Sequence, residues 1–139
     1  MIDPANVPPV TPEELLSRFA TQSGQFRKSD RSVKQELFVP NARGECSVMR
    51  HRDASDVEIW ETGHDVAASF PEGRTLYGRA DITVAACTID ALRVVAKPIL
   101  PKNPNHADIE GWPESKEDKK ALAQKLAVAA GKLILPPAP

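Results

Sequence analysis

The spacing of apolar residues predicts a helix near the start of the chain. Thr11 has a favourable N-cap residue type, Pro12 suits a first helical position, and Glu14 completes a capping box with Thr11. Four apolar residues then recur at helical spacing: Leu15, Leu16, Phe19 and Ala20. We therefore expect a first helix that begins after Thr11 and ends before Gly24.

Two further helices are predicted by the same signals. Ser55 and Glu58 form a second capping box before a run with helical periodicity, which predicts a helix within residues 55–70. Gly63 lies inside this run, at a cost of about 1 kcal/mol relative to alanine, and such a glycine favours close approach of a neighbouring element. The last helix is expected to begin after Ser115 and to end at Gly131.

Five short segments have the composition of strands. Residues 35–40 and 45–52 flank a turn signal and are expected to pair as a hairpin. Residues 80–87 and 91–96 are rich in β-branched residues, and we expect them to form a second hairpin at the centre of the sheet. A fifth, short strand is expected at 106–110.

This pattern predicts an α+β fold, a small antiparallel sheet of four or five strands covered by about three helices, in the order α-ββ-α-ββ(β)-α. With 139 residues, one domain is expected. The prolines near the termini indicate an extended N-terminal arm over residues 1–10, a single domain over 11–135 and a short tail over 136–139.

Charge and composition limit the function. The net charge is −1, which argues against a dedicated DNA-binding domain. A local nucleic-acid interface stays open, because segment 27–52 contains Arg27, Lys28, Arg31, Lys34, Arg43, Arg50 and Arg52. The sequence lacks a secretory signal and any apolar run of the ~20 residues that a membrane helix needs. Cys46 and Cys87 match no metal or redox spacing and are expected to be buried free thiols, so we expect a cytoplasmic protein.

The candidate chemistry lies in three histidines, His51, His64 and His106, each of which has an aspartate within two positions. A carboxylate beside an imidazole can support general-base catalysis or orient a metal ligand. The histidines belong to separate elements, however, and their spacing matches no metal-binding motif. Motifs for nucleotide binding and for serine hydrolases are absent as well, so neither metal nor cofactor is predicted.

Two other stretches could form binding surfaces. In "LYGRAD", Arg79 could face a ligand, or it could pair with Asp81 while Gly78 forms a bulge. In "NPNHADIEGWP", His106 and Asp108 are predicted on one side of a short strand, with Trp112 packed under the last helix. We interpret this second stretch mainly as a structural corner.

Three functions are compatible with these observations. The first is a non-enzymatic accessory or regulatory module that binds another protein or self-associates, through an exposed strand edge or the apolar C-terminal tail. The second is a small hydrolase or nuclease, with His51 or His106 as general base and Arg50, Arg52 or Arg79 as phosphate clamp. It requires the two histidine regions to converge. Asp108 is a further candidate catalytic residue. The third is nucleic-acid binding through segment 27–52.

Overall fold

A computed structural model describes residue 2 and residues 6–138 of the chain. Its helices and strands follow along the chain in the order β1 (Leu15–Ala20), β2 (Cys46–Arg50), α1 (Asp56–Ala68), β3 (Gly78–Thr83), α2 (Val84–Cys87), β4 (Arg93–Ala96), β5 (His106–Glu110) and α3 (Lys116–Ala130). Short 3-10 turns occur at Ser23–Gln25 and Gln35–Leu37.

The strands form one five-stranded sheet in the order β3-β1-β2-β5-β4, and all neighbours are antiparallel. The predicted α+β class and sheet size are therefore confirmed. The predicted first helix is nevertheless wrong, because residues 15–20 form the strand β1. Thr11 N does donate to Glu14 Oε2 over 2.7 Å, as in a capping box. Both carboxylate oxygens of Glu14 also accept from Arg50, and the chain continues extended into the sheet.

Both predicted hairpins are also wrong. Residues 35–40 contain a 3-10 turn, and β2 pairs with β1 and β5. The segments expected at the centre of the sheet form its two edges, β3 and β4, with three strands between them. β3 is shorter than predicted because Thr83 caps a helical turn: its hydroxyl accepts from Ala86 N. The short strand at 106–110 is confirmed as β5.

Two layers cover the sheet. Alternate residues of β1 point in opposite directions, so Leu16 and Ala20 join the core under α3, whereas Phe19 joins the core under α1. The core on the α1 side contains Phe19, Met49, Ile59, Trp60, Ala67 and Leu76. The larger core on the α3 side also buries the loop residues Leu37 and Phe38. Below, these layers are the α1 side and the α3 side.

Both remaining predicted helices are confirmed, with their caps. Ser55 Oγ accepts from Glu58 N at the start of α1, and Ser115 Oγ accepts from Asp118 N at the start of α3. Gly63 has the predicted role, because a Cβ at this position would lie 2.8 Å from two ring carbons of Phe19. α1 therefore packs closer to β1 than a helix with a side chain there would allow.

Candidate functional site

Ser17, His51 and Asp81 form a hydrogen-bonded group on the α1 side of the sheet. The Ser17 hydroxyl donates to Asp81 Oδ1 over 2.6 Å and lies 2.7 Å from His51 Nε2. A hydroxyl has one proton, so His51 Nε2 must donate to Ser17 Oγ and must carry a proton. A nucleophilic serine requires the reverse, donation from serine to histidine. Ser17 is also fully buried, so this group joins neighbouring strands and presents no nucleophile.

Arg79 connects this group to α1. Its Nε lies 3.2 Å from Asp81 Oδ1, its Nη1 lies 2.9 Å from Asp56 Oδ1, and its guanidinium lies 4.8 Å above the Trp60 ring. The pair with Asp81 was one of the two predicted alternatives and is confirmed. The β1–β3 register runs without interruption from Leu15↔Thr83 to Ala20↔Gly78, and Tyr77 N also donates to the Ala20 carbonyl over 2.9 Å, so the bulge at Gly78 stays a prediction.

The surroundings of Asp81 keep it ionised. Burial acts to raise the pKa of this carboxyl group, but the His51 ring 3.7 Å from Oδ1, the hydrogen bond from Ser17 and the charge of Arg79 outweigh that effect and lower the pKa. Asp81 is therefore an anion throughout the neutral range. It compensates the charge of the buried Arg79, and the whole group fastens the start of α1 to the sheet.

His106 and Asp108 belong to a second group, centred on Lys97. Lys97 Nζ contacts Glu110, and it lies 3.3 Å from Glu45 Oε2 and 3.5 Å from Asp108 Oδ2. His106 Nδ1 donates to the Lys97 carbonyl over 2.9 Å, and its Nε2 lies 3.6 Å from Asp108 Oδ1. The polar side chains at this end of the sheet are thus bound to one another.

The carboxylates of Glu45, Asp108 and Glu110 have ligand atoms within 4.8 Å of one another, the spacing of a possible cation site. The ammonium group of Lys97 is their counterion. Hydrogen bonding to Glu110 raises the pKa of Lys97, against the opposing effect of desolvation. A metal ion would have to displace a firmly protonated amine, and we assign no metal to this cluster.

The two histidine regions share a sheet face but have different partners. Met49 of β2 lies opposite His106 of β5, and His51 follows two positions later. The His51 ring bonds toward β1 and β3, whereas the His106 ring bonds toward β4. Their contacts therefore involve different carboxylates. The predicted general-base role of either histidine stays a prediction, and His64 is exposed on α1.

Arg50 and Arg52 bind the chain itself. The fully buried Arg50 donates to both oxygens of Glu14, over 2.8 and 3.0 Å, and to the Pro9 carbonyl. Arg52 donates to the carbonyl of Asn6 and, over 2.8 Å, to the side chain of Asn105. Of the predicted arm 1–10, residues 1 and 3–5 lie outside the described residues, as does residue 139 of the predicted tail. Residues 6 and 9 are held by these two guanidinium groups, whose predicted role was ligand binding.

Trp112 has a structural position in the corner before α3. Its Nε1 donates to the Ile109 carbonyl over 2.9 Å, and its half-buried ring packs against the core on the α3 side. Gly111 has a φ of 91°, and a Cβ there would lie 2.1 Å from the Ala91 carbonyl oxygen. The chain therefore needs glycine at this position, which supports the interpretation of 103–113 as a corner.

The basic residues of segment 27–52 do not form one surface. Arg50 is buried, and Arg43 lies 3.4 Å from Glu45. Arg27 and Lys34 instead line a groove of about 550 Å³ on the α3 side, together with Lys132 from the end of α3. Arg50 is thus unavailable to a nucleic acid, and the Arg52 guanidinium is already bound to Asn6 and Asn105.

Sequence reasoning missed three residues that organise these groups. Ser17 was assigned to a helix, and only a two-residue period would have placed Leu15, Ser17 and Phe19 on one face. Lys97 directly follows the strand predicted at residues 91–96, but it belongs to no recognisable sequence motif. Asn105 is completely buried and donates to the Arg50 carbonyl over 2.9 Å, although its position beside Pro104 indicated a turn.

Cys46 and Cys87 are buried free thiols in the core on the α3 side, as predicted. Burial raises the pKa of both, that of Cys87 to about 12. Neither thiol is therefore activated as a nucleophile.

Among residues 2 and 6–138, no helix has the length and apolar character needed to cross a membrane. Comparison of the chain with models of protein families, with curated proteins and with solved structures found no match.

Proposed function

We propose that this protein is a non-enzymatic accessory or regulatory module that binds an extended segment of another protein along β4. The main support is the difference between the two edges of the sheet. At the β3 edge, Arg79 exchanges two backbone hydrogen bonds with Ile134, so the C-terminal segment of the chain itself occupies this position. Among the described residues, nothing pairs in this way with the outer edge of β4.

The geometry of β4 leaves backbone groups available. Lys97 N donates to the His106 carbonyl, which places residues 93, 95 and 97 in hydrogen-bonding positions toward β5. The N–H and C=O groups of Val94 and Ala96 therefore point away from the sheet. Added strands are bound through such groups in β-augmentation.

The side chains along β4 suggest what the bound segment would look like. Val94 and Ala96 are half-buried on the α3 side, whereas the Arg93 side chain is 63% exposed on the α1 side. Ile99 and Leu100 follow directly and are 52% and 60% exposed. A partner strand would thus have apolar residues facing the α3 side, an acidic residue facing Arg93, and an apolar group within reach of Ile99 and Leu100.

Features that protect strand edges from aggregation also limit the number of hydrogen bonds that a partner strand can form with β4. β4 is four residues long, begins with Arg93 and is followed by Lys97 and Pro98. A partner would gain only a few hydrogen bonds, each of net value about 0.5–1.5 kcal/mol. Selectivity would depend on side chains, as suits reversible regulatory binding. The free thiols of Cys46 and Cys87 support a reducing compartment such as the cytoplasm.

Selection from a displayed library of random peptides tests the proposal. We expect selected peptides to alternate apolar and acidic residues and to protect the amides of Val94 and Ala96 from hydrogen exchange. Val94→Pro removes the outward N–H group, and it also changes a half-buried side chain and fixes φ; it should abolish binding, whereas Val94→Thr keeps the N–H group and should retain binding. Thermal unfolding of both variants checks that they are folded. If no peptide is selected, or if Val94→Pro binds selected peptides as the wild type does, the proposal is wrong.

A further inference from the structure

The two layers that cover the sheet carry opposite charge. Residues 53–72, which include α1, contain six acidic residues and no lysine or arginine. On the α3 side, residues 27–34 and 116–132 together contain nine lysines and arginines and three acidic residues. The net charge of −1 therefore conceals a strong charge separation across the sheet.

The positive charge surrounds the groove between residues 27–36 and the C-terminal half of α3. Arg27, Lys34 and Lys132 line this basic groove, and none of them forms an ion pair with the described part of the chain. Glu36 is the acidic residue among the lining side chains. The apolar surface of the basic groove includes Val128, which is 70% exposed. The charge of Asp30 acts on Arg27 and Lys132 without an ion-pair contact, and the groove thus combines three cations with an exposed hydrophobic residue.

The complementary combination lies on α1. Val57, Glu61 and Asp65 are spaced four residues apart, so they form one stripe along the exposed face of the helix. Val57 is 66% exposed. A pocket beside this acidic stripe is lined by Glu61, Asp65 and one cation, Lys102.

We propose that the basic groove binds the acidic stripe of a second copy of this chain. The carboxylates of Glu61 and Asp65 would lie beside Lys34 and Lys132, and Val57 would pack against Val128. Both the sign of the charge and the position of the apolar residue are matched within one sequence. This inference concerns a surface other than the β4 edge and is independent of the proposed function.

The location of the two surfaces determines the form of the assembly. They lie on opposite sides of the sheet, so the contact is head-to-tail, and each bound copy still has one free groove and one free stripe. The product is an open-ended series of oligomers. Because exposed ion pairs are screened over about 10 Å at 0.1 M salt, association should be reversible and should weaken as salt rises.

Sedimentation velocity with charge-reversed variants tests this contact. The wild type should show a sedimentation coefficient that increases with concentration at low salt, and this increase should disappear at about 0.3 M salt. Lys34→Glu/Lys132→Glu and Glu61→Lys/Asp65→Lys should each stay monomeric. An equimolar mixture of the two double variants should associate, because the intact stripe of one meets the intact groove of the other.

Several outcomes would overturn the inference: a monomeric wild type at low salt, association of either double variant alone, or a mixture that stays monomeric. A wild type that remains monomeric but binds a short duplex oligonucleotide through Lys34 and Lys132 would identify the groove as a nucleic-acid site instead. All four substituted side chains are exposed, so thermal unfolding should change little. Val94→Pro should associate normally, which separates this test from that of the β4 edge.

Discussion

Replacement of Gly63 by alanine is predicted to destabilise the protein although it improves helix propensity. The gain in propensity in the middle of α1 is about 1 kcal/mol. The new Cβ would lie 2.8 Å from both Cδ1 and Cε1 of Phe19 and 3.1 Å from Leu76 Cδ2. Phe19 and Leu76 are both buried, and forcing extra volume into a packed core costs about 1–3 kcal/mol.

We therefore expect a net loss of about 1 kcal/mol, because the ring of Phe19 has little room to move. For a chain of this size, that loss lowers the midpoint of thermal unfolding by about 3 °C. Circular dichroism during thermal and urea unfolding measures both quantities. Gly24→Ala is a matched control, since a Cβ at Gly24 would have no atom within 4 Å beyond its chain neighbours, and its stability should be unchanged or slightly higher.

A double-mutant cycle locates the cause. Phe19→Leu removes ring atoms that the new methyl group would meet, so the cost of Gly63→Ala should be smaller in that background. If Gly63→Ala proves more stable than the wild type, α1 does not pack against β1 as closely as these distances imply.

Four further predictions concern the polar groups and the corner. Ser17→Ala should lower stability by about 1–3 kcal/mol at neutral pH, because it leaves partners of a buried hydroxyl unsatisfied; an unchanged urea midpoint would contradict this. The lowered pKa of Asp81 stabilises the fold above the ordinary aspartate pKa, and this contribution should be lost as pH falls through the folded value, which acid unfolding of Asp81→Asn against the wild type measures. Lys97→Met should destabilise the protein at neutral pH, because three neighbouring carboxylates lose their counterion; an unchanged urea midpoint would refute the assigned counterion. Trp112→Phe should cost about 1 kcal/mol, through loss of the hydrogen bond to Ile109, and should leave the fold intact by circular dichroism.

The sequence predicted the elements whose signals are local. Ser55 and Ser115 form their predicted caps because a cap needs only residues within one turn of the chain. Residues 106–110 alternate between the two sides of the sheet and form the predicted strand. The fold class followed from the combination of these elements.

The errors arose where distant residues decide the structure. β1 lies second from the edge and has apolar side chains on both faces, so Leu15, Leu16, Phe19 and Ala20 fit a helical period equally well. The carboxylate that completed the apparent helix start, Glu14, also binds Arg50, which lies 36 positions away. Strand order is likewise non-local, so two good strand signals at 80–87 and 91–96 contained no information that they would lie at opposite edges.

The same distinction applies to the candidate site. Sequence proximity identified the pairs Arg79–Asp81 and His106–Asp108, which are two positions apart. The hydrogen bond between Ser17 and Asp81 forms because β1 pairs with β3, and no local sequence pattern predicts that pairing.

The pairing of Ile134 with Arg79 affects how the molecule could polymerise. Because Ile134 occupies the outer backbone groups of Arg79, a strand of another molecule cannot pair with β3 at this position. A chain cut after Leu133 would lack Ile134, so the outer backbone groups of Arg79 in β3 would be free to pair with a strand of another molecule. Removal of the last few residues should therefore increase pairing between sheet edges, a contact separate from that of the basic groove with the acidic stripe, even though Ile134 and Leu135 are exposed and contribute little to the core.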